Sequence, residues 1–177
     1  MRDGSRTRVV LREALTAAEA AGATTDLVDL REYEIPPLNA VDTDVPDAEA
    51  LRRTLRRADG VLLGTPNYHG SYSGALKNAL DHCSRDELEG TTVGLLEVAA
   101  GSFPSSALDH LRTVARTLGA WTLPTEVAVP ESHSTVTDAR IADPDIADRT
   151  SRLGRELALY AGVAEYPSVV SNGAADR

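Results

Sequence analysis

The feature that most constrains this chain is the run Gly60-Val61-Leu62-Leu63-Gly64-Thr65, which carries no charge. A short apolar run bounded by small residues fits a strand buried on both faces, the setting of a parallel sheet. Such a sheet needs helices over both surfaces, because parallel neighbours are joined by crossovers that pack back onto it. The run passes directly into Pro66, Asn67, Tyr68, His69, Gly70, Ser71, Tyr72 and Ser73. An aromatic, glycine-containing stretch at the exposed end of a buried strand is where an open α/β sheet places its ligands.

The rest of the chain supplies the expected alternation. Arg8 to Ala21 has apolar positions suited to one helix face, and Gly22 is a natural stop. Thr24 to Leu30 predicts a short strand. Glu34 to Asp47, with Pro36, Pro37 and Pro46, predicts a loop. Asp47 to Ala58 predicts an amphipathic helix, and Gly74 to Cys83 a second, with Ser71 or Ser73 available near its start. Thr91 to Val98 predicts another buried strand, Ser105 to Leu118 a helix stopped by Gly119, and Trp121 to Val129 a strand. Asp143-Pro144 opens a last helix running to Gly162. One domain over 1–166 and a flexible tail over 167–177 are expected.

Composition narrows the function classes. The 177 residues suffice for one full domain with its own core, and 42% hydrophobic and 25% charged residues are ordinary for a globular protein. With 27 acidic against 18 basic side chains the net charge is −9, which argues against a nucleic-acid backbone binder. No apolar run is long enough for a membrane helix, and the polar start Met1-Arg2-Asp3-Gly4-Ser5-Arg6 is no signal peptide. The single cysteine, Cys83, cannot form an internal disulfide. A cytoplasmic protein without membrane or nucleic-acid partners is expected. Cys83 reads better as a small buried side chain than as a reactive thiol. His110 and His133 lack metal-ligand spacing, and no metal site is expected.

The stretch Pro66-Asn67-Tyr68-His69-Gly70-Ser71-Tyr72-Ser73-Gly74-Ala75-Leu76-Lys77-Asn78-Ala79-Leu80-Asp81 resembles, without a gap, the signature Pro-x-Tyr-x-Gly-Ser-x-x-Gly-x-Leu-Lys-Asn-Ala-hydrophobic-Asp of the NAD(P)H-dependent FMN reductase family, flavodoxin-like flavoproteins. Ala99-Ala100-Gly101-Ser102-Phe103 is similar to that family's second, small-residue loop, and the likeness runs from Arg2 to about Ala161. The resemblance implies a flavodoxin-like doubly wound parallel sheet of order 2-1-3-4-5, with the first strand expected to be absent from this chain. It implies FMN as cofactor, with the isoalloxazine ring held by Pro66, Asn67, Tyr68, His69, Gly70 and Ser71 and flanked by Gly101. Position 69 is usually Asn in the family, so His69 is a departure. Phe103 suits either a flavin contact or a helix cap. Lys77, Asn78 and Asp81 are expected to organise the following helix and a subunit contact.

A second departure lies at the N-terminus. The family opens with a strand ending in Gly-Ser-x-Arg-x-Gly-Ser-x-Thr, the FMN phosphate loop. Here Arg2-Asp3-Gly4-Ser5-Arg6-Thr7 matches only its second half. A start codon placed too late is the expectation, and a real truncation that weakens FMN binding the alternative. Arg2, Ser5 and Thr7 at a helix start still suit a phosphate, while Ser5 or Thr7 equally suits plain helix capping.

The function implied is an oxidoreductase. It takes hydride from NADPH or NADH onto bound FMN and passes electrons to a small acceptor, with no catalytic side chain required. The alternatives are a flavodoxin-type electron carrier and a flavin-free remnant. A homodimer or homotetramer is implied by the same resemblance.

Overall fold

The computed structural model describes residues 4–39, 45–102, 104 and 106–162. In chain order the elements are α1 (Arg6–Ala20), a 3₁₀ turn (Leu30–Glu32), α2 (Pro46–Arg56), β1 (Gly60–Pro66), α3 (Gly74–Asp81), α4 (Arg85–Leu88), β2 (Thr92–Val98), α5 (Ser106–Thr117), β3 (Trp121–Val129), α6 (Ser132–Thr135) and α7 (Pro144–Tyr160). The three strands form one parallel sheet in the order β1-β2-β3.

Chain chemistry explains most of the boundaries. Ser73 caps α3 by accepting a hydrogen bond from the Leu76 amide. Asp143 accepts from the Asp145 and Ile146 amides, with Pro144 at the first helical position. Ala21 and Gly22, the latter at φ +98°, end α1, and Gly119 at φ +80° ends α5. In β3, Pro124 has no N–H to give the ladder. The β2–β3 register slips across it, from Val93↔Thr122 to Leu95↔Glu126. Arg112 of α5 covers the irregularity, donating to Thr122 Oγ1 at 2.8 Å and to Glu126 Oε2 at 2.6 Å.

Helices cover both faces of the sheet. On one, α1 and α7 enclose Val10, Leu96, Val98, Leu123, Val127, Val129, Leu153 and Leu157. On the other, α3, α4 and α5 enclose Val61, Leu63, Leu76, Leu80, Leu88, Val93, Leu95, Leu108 and Leu111. The alternation of these sets along β2 follows the two-residue period of a strand. Every residue of β2 is buried, as expected for the central strand.

Two expectations are corrected here. β1 is not buried throughout: its residues alternate between buried and half-buried, because it is an edge of the three-stranded sheet. Thr24 to Leu30 forms no strand. Residues 23–29 run without regular structure, and Leu30 enters the 3₁₀ turn. A strand exists only through a partner's backbone groups, and among the described residues this segment is in no ladder. Asp29 instead turns the chain locally, accepting from the Arg31 amide at 3.1 Å and from the Arg31 guanidinium at 2.9 Å. The observed sheet is thus three strands of the expected five-strand order. The 167–177 tail lies outside the described residues.

Candidate flavin site at the carboxyl edge of the sheet

Three loops leave the carboxyl ends of the strands and are laced to one another. The Asn67 amide donates to the Val98 carbonyl at 2.9 Å, tying the loop after β1 to the end of β2. The Ala99 amide donates to Val129 at 2.8 Å, tying β2 to β3. The Glu131 and Ser132 amides donate back to Gly101 and Ala99 at 3.0 and 2.9 Å, and the Ser102 hydroxyl donates to Glu131 Oε1 at 2.9 Å. Arg6 Nε reaches the Val136 carbonyl at 3.4 Å. The N-terminus of α1 therefore lies at the same edge as these loops.

The loop after β1 is a built turn. The Tyr68 amide donates to the Ser71 carbonyl at 2.8 Å, and the Ser71 amide returns to the Tyr68 carbonyl at 3.1 Å. Between them His69 and Gly70 both have positive φ, +52° and +79°. Positive φ at both central residues is the type I′ turn, which Asn-Gly fills best. His69 is accommodated because histidine is among the residues that tolerate the left-handed region. The turn projects Tyr68, which is 62% exposed.

Side chains fix this turn from below. Asn67 Oδ1 accepts from the Gly70 amide at 3.1 Å, and its Nδ2 donates to Glu97 Oε2 at 3.2 Å. Glu97 is fully buried near the end of β2, and the same oxygen accepts from the Ala107 amide in the first turn of α5 at 3.1 Å. Burial raises the Glu97 carboxyl above the ordinary carboxylate range, against the pull of those two hydrogen bonds. At the far end of the loop, Thr65 Oγ1 accepts from the Ser73 amide at 2.9 Å and donates to the Pro66 carbonyl at 3.0 Å. Ser71 Oγ shares a 2.9 Å hydrogen bond with His110 Nδ1, and the Tyr72 ring meets His110 edge-on at 6.3 Å.

The expected site residues divide by what the structure shows of them. Pro66, Asn67, Tyr68, His69, Gly70 and Ser71 form one continuous surface at the carboxyl edge. Gly101 lies in the next loop, where a Cβ would meet nothing within 4 Å among the described residues. Ser5 caps α1, accepting from the Arg8 amide at 3.3 Å, and Thr7 is buried in its first turn. Arg2 and Phe103 lie outside the described residues. The arrangement suits FMN. An exposed tyrosine stands on a rigid turn, an open glycine loop lies in the next connection, and a helix N-terminus at the same edge favours a phosphate.

Sequence reasoning missed Glu97, Thr65 and His110. Glu97 had a signal, a lone carboxylate in an otherwise apolar strand. His110 had none, being brought to Ser71 only by the packing of α5. Elsewhere the plainer readings are favoured. Cys83 is half-buried and burial pushes its thiol up to about 11, the opposite of activation. Lys77 pairs with Asp81 along α3, and Asn78 Nδ2 donates to the Ile35 carbonyl at 2.7 Å. These last contacts organise α3 and the loop before α2.

Helices on both faces of a parallel sheet, with a built loop at its carboxyl edge, define a flavodoxin-like α/β protein. Megasphaera elsdenii flavodoxin superposes with a TM-score of 0.62 over 90% of this chain and 94% of its own, at 20% identity. An oxidoreductase from Corynebacterium diphtheriae superposes at 0.74 over 91% of each chain, at 23% identity. Residues 1–134 match the model of the NADPH-dependent FMN reductase family, and the chain belongs to that family. It is 34% identical over 138 residues to an FMN-dependent NADPH-azoreductase of Staphylococcus haemolyticus, covering 73% of this chain and 72% of the relative. To an azoreductase of the same description from Staphylococcus aureus it is 39% identical over 116 residues, 60% of each chain.

Proposed function

We propose that this chain holds FMN at the carboxyl edge of its sheet and catalyses NAD(P)H-dependent reduction of a small acceptor. Bound FMN would accept hydride from the reduced nicotinamide and release electrons to the acceptor. The protein's part is to bind, orient and keep water from one face. Pro66, Asn67, Tyr68, His69, Gly70 and Ser71 would hold the ring, with Gly101 leaving room beside it. Ser5 and Thr7 at the start of α1 would face the phosphate, and Arg2, a few residues earlier in the sequence, would add its charge. The observation that carries this reading is the doubly anchored type I′ turn at Tyr68–Ser71, which presents backbone and an aromatic ring at the carboxyl edge of the sheet. The azo description of the relatives makes azo compounds the first acceptors to try, with quinones and free flavin beside them.

The enzyme would work in the cytoplasm as a homodimer or homotetramer. Exposed Trp121 and Tyr160 offer apolar surface for such an assembly, and size-exclusion chromatography with light scattering measures it. Among the described residues no helix is long and apolar enough to cross a membrane.

The deciding experiment is anaerobic mixing of the FMN-loaded protein with NADPH, and separately with NADH. Rapid bleaching of the flavin, followed by recovery with an azo dye, is the expected result. Flavin that stays oxidised with both nucleotides would leave a carrier role in its place.

A further inference from the structure

We propose that Glu97 is the positioning residue of the flavin-binding turn, acting through Asn67 as a neutral hydrogen-bonded acid. The inference rests on the reading of that turn as the flavin site, but its first test needs no flavin.

The geometry is specific. Along β2, Val93, Leu95 and Glu97 point to the same sheet face, beneath α5. Glu97 thus takes a position where the two preceding residues are core. Its side chain is fully buried, and among the described residues no arginine or lysine is paired with it. Burying a carboxyl is costly unless it organises other groups. Here one oxygen, Oε2, receives both Asn67 Nδ2 and the Ala107 amide, while Oε1 has no hydrogen-bond partner among the described residues.

That asymmetry distinguishes two states. As a carboxylate, Glu97 would leave a charged oxygen buried and unsolvated. As a neutral acid, it keeps a carbonyl oxygen for both donors and leaves only an uncharged hydroxyl without a partner, which costs less to bury than a charge. The negative charges of Glu126 on β3 and Asp109 on α5 oppose ionisation as well, though Arg112 partly offsets Glu126. Across the sheet Glu97 registers with Thr65 and Ala128, neither of which carries charge.

The consequence for the turn is mechanical. Asn67 uses both ends of its amide: Nδ2 is fixed by Glu97, and Oδ1 then accepts from Gly70. Through this one residue the central strand, the first turn of α5 and the type I′ turn share a single geometry. Without Glu97, Asn67 loses its anchor, and the Gly70 amide loses a fixed acceptor.

The test compares Glu97→Gln, Glu97→Asp and Glu97→Leu. Gln keeps the carbonyl acceptor and mimics the neutral acid. Asp keeps the carboxyl group but withdraws it by one methylene. Leu keeps the volume alone. Amide hydrogen exchange of the FMN-free protein at Gly70 and Ala107 is read first. Exchange within twofold of the parent in Glu97→Gln, and about 10-fold faster in Glu97→Leu and Glu97→Asp, is expected, one net hydrogen bond being worth about a factor of ten. FMN titration by fluorescence is read next. Its Kd should be unchanged in Glu97→Gln and about 10-fold weaker in the other two, and Glu97→Leu should add less than twofold once Asn67→Ala is present. Unchanged exchange in Glu97→Leu and Glu97→Asp, or full additivity with Asn67→Ala, would overturn the proposal. Should Glu97→Leu not fold, the Gln and Asp pair decides alone: equal behaviour of the two sinks it. A parent protein that binds no FMN would defeat the flavin reading, while the exchange data would still decide the role of Glu97.

Discussion

At the scale of single residues, backbone conformation sets what the candidate loop tolerates. Gly70 sits at φ +79°, and among the described residues a Cβ there would meet only the Ser106 hydroxyl, at an ordinary 3.6 Å. Space is therefore not the obstacle to Gly70→Ala, and the cost is the left-handed backbone, about 1 kcal/mol. Chemical denaturation should show that loss with an unchanged m-value. His69 is the converse case. Replacement by Asn, which prefers the left-handed region more strongly, should stabilise by about 0.5 kcal/mol in the same assay. Cys83 can be checked by alkylation. Its thiol at about 11 implies reaction with iodoacetamide roughly 100-fold slower at pH 8 than for an unperturbed cysteine. A faster rate would show that the α3–α4 corner opens. The left-handed preference of Gly70 was legible in the sequence. The partnership of Ser71 with His110 was not, because nothing near position 71 announces a residue 39 positions away.

At the scale of elements, two contacts hold helices in place by opposite means. Glu87 is a buried carboxylate that welds α4 to α2. Burial alone would raise its pKa, but the Ser84 amide and hydroxyl at 2.6 and 2.8 Å and the Arg52 and Arg56 guanidinia at 3.0 and 2.6 Å outweigh that and hold it down at about 2. A folded-state pKa below the unfolded value near 4.5 means that the contribution is complete above that value. It fades as pH falls toward 2. Glu87→Gln should cost about 2 kcal/mol at neutral pH and flatten the acid limb of the stability profile between those limits. The α1–α7 contact relies instead on the absence of a side chain. A Cβ on Gly154 would lie 2.0 Å from the Ala14 carbonyl oxygen, a backbone atom that cannot step aside. Gly154→Ala should therefore force the two helices apart and cost about 3 kcal/mol or more, despite the better helix propensity of alanine. Thermal unfolding distinguishes this from the gain that propensity alone would give.

At the scale of the whole molecule, the laced loops at the carboxyl edge join elements that are far apart in sequence. Ligand that binds there should stabilise the fold as a unit. With free FMN at one hundred times its Kd, stability should rise by about 2.7 kcal/mol, read as an upward shift of the thermal midpoint. The parallel architecture was legible because β2 is apolar but for Thr92 and Glu97 and the helices around it carry clear starts and stops at Ser73, Asp143 and Gly119. Where the reading failed, a missing neighbour was the reason. Residues 24–30 have strand-like chemistry but no ladder, and β1, apolar enough for an interior position, is half-buried on alternate residues because it forms an edge.

The amino-acid order by itself determined the helix ends, the buried central strand and the turn-forming stretch at Pro66–Ser71. These depend on neighbours within a few residues, through caps, backbone preferences and apolar periodicity. Only the tertiary structure decided that Glu97 would grip Asn67 and the start of α5, that His110 would meet Ser71, and that 24–30 would stay outside the sheet. Each of these depends on a partner supplied from a distant part of the chain. A hydrogen bond or a strand ladder has no existence until packing brings both halves together.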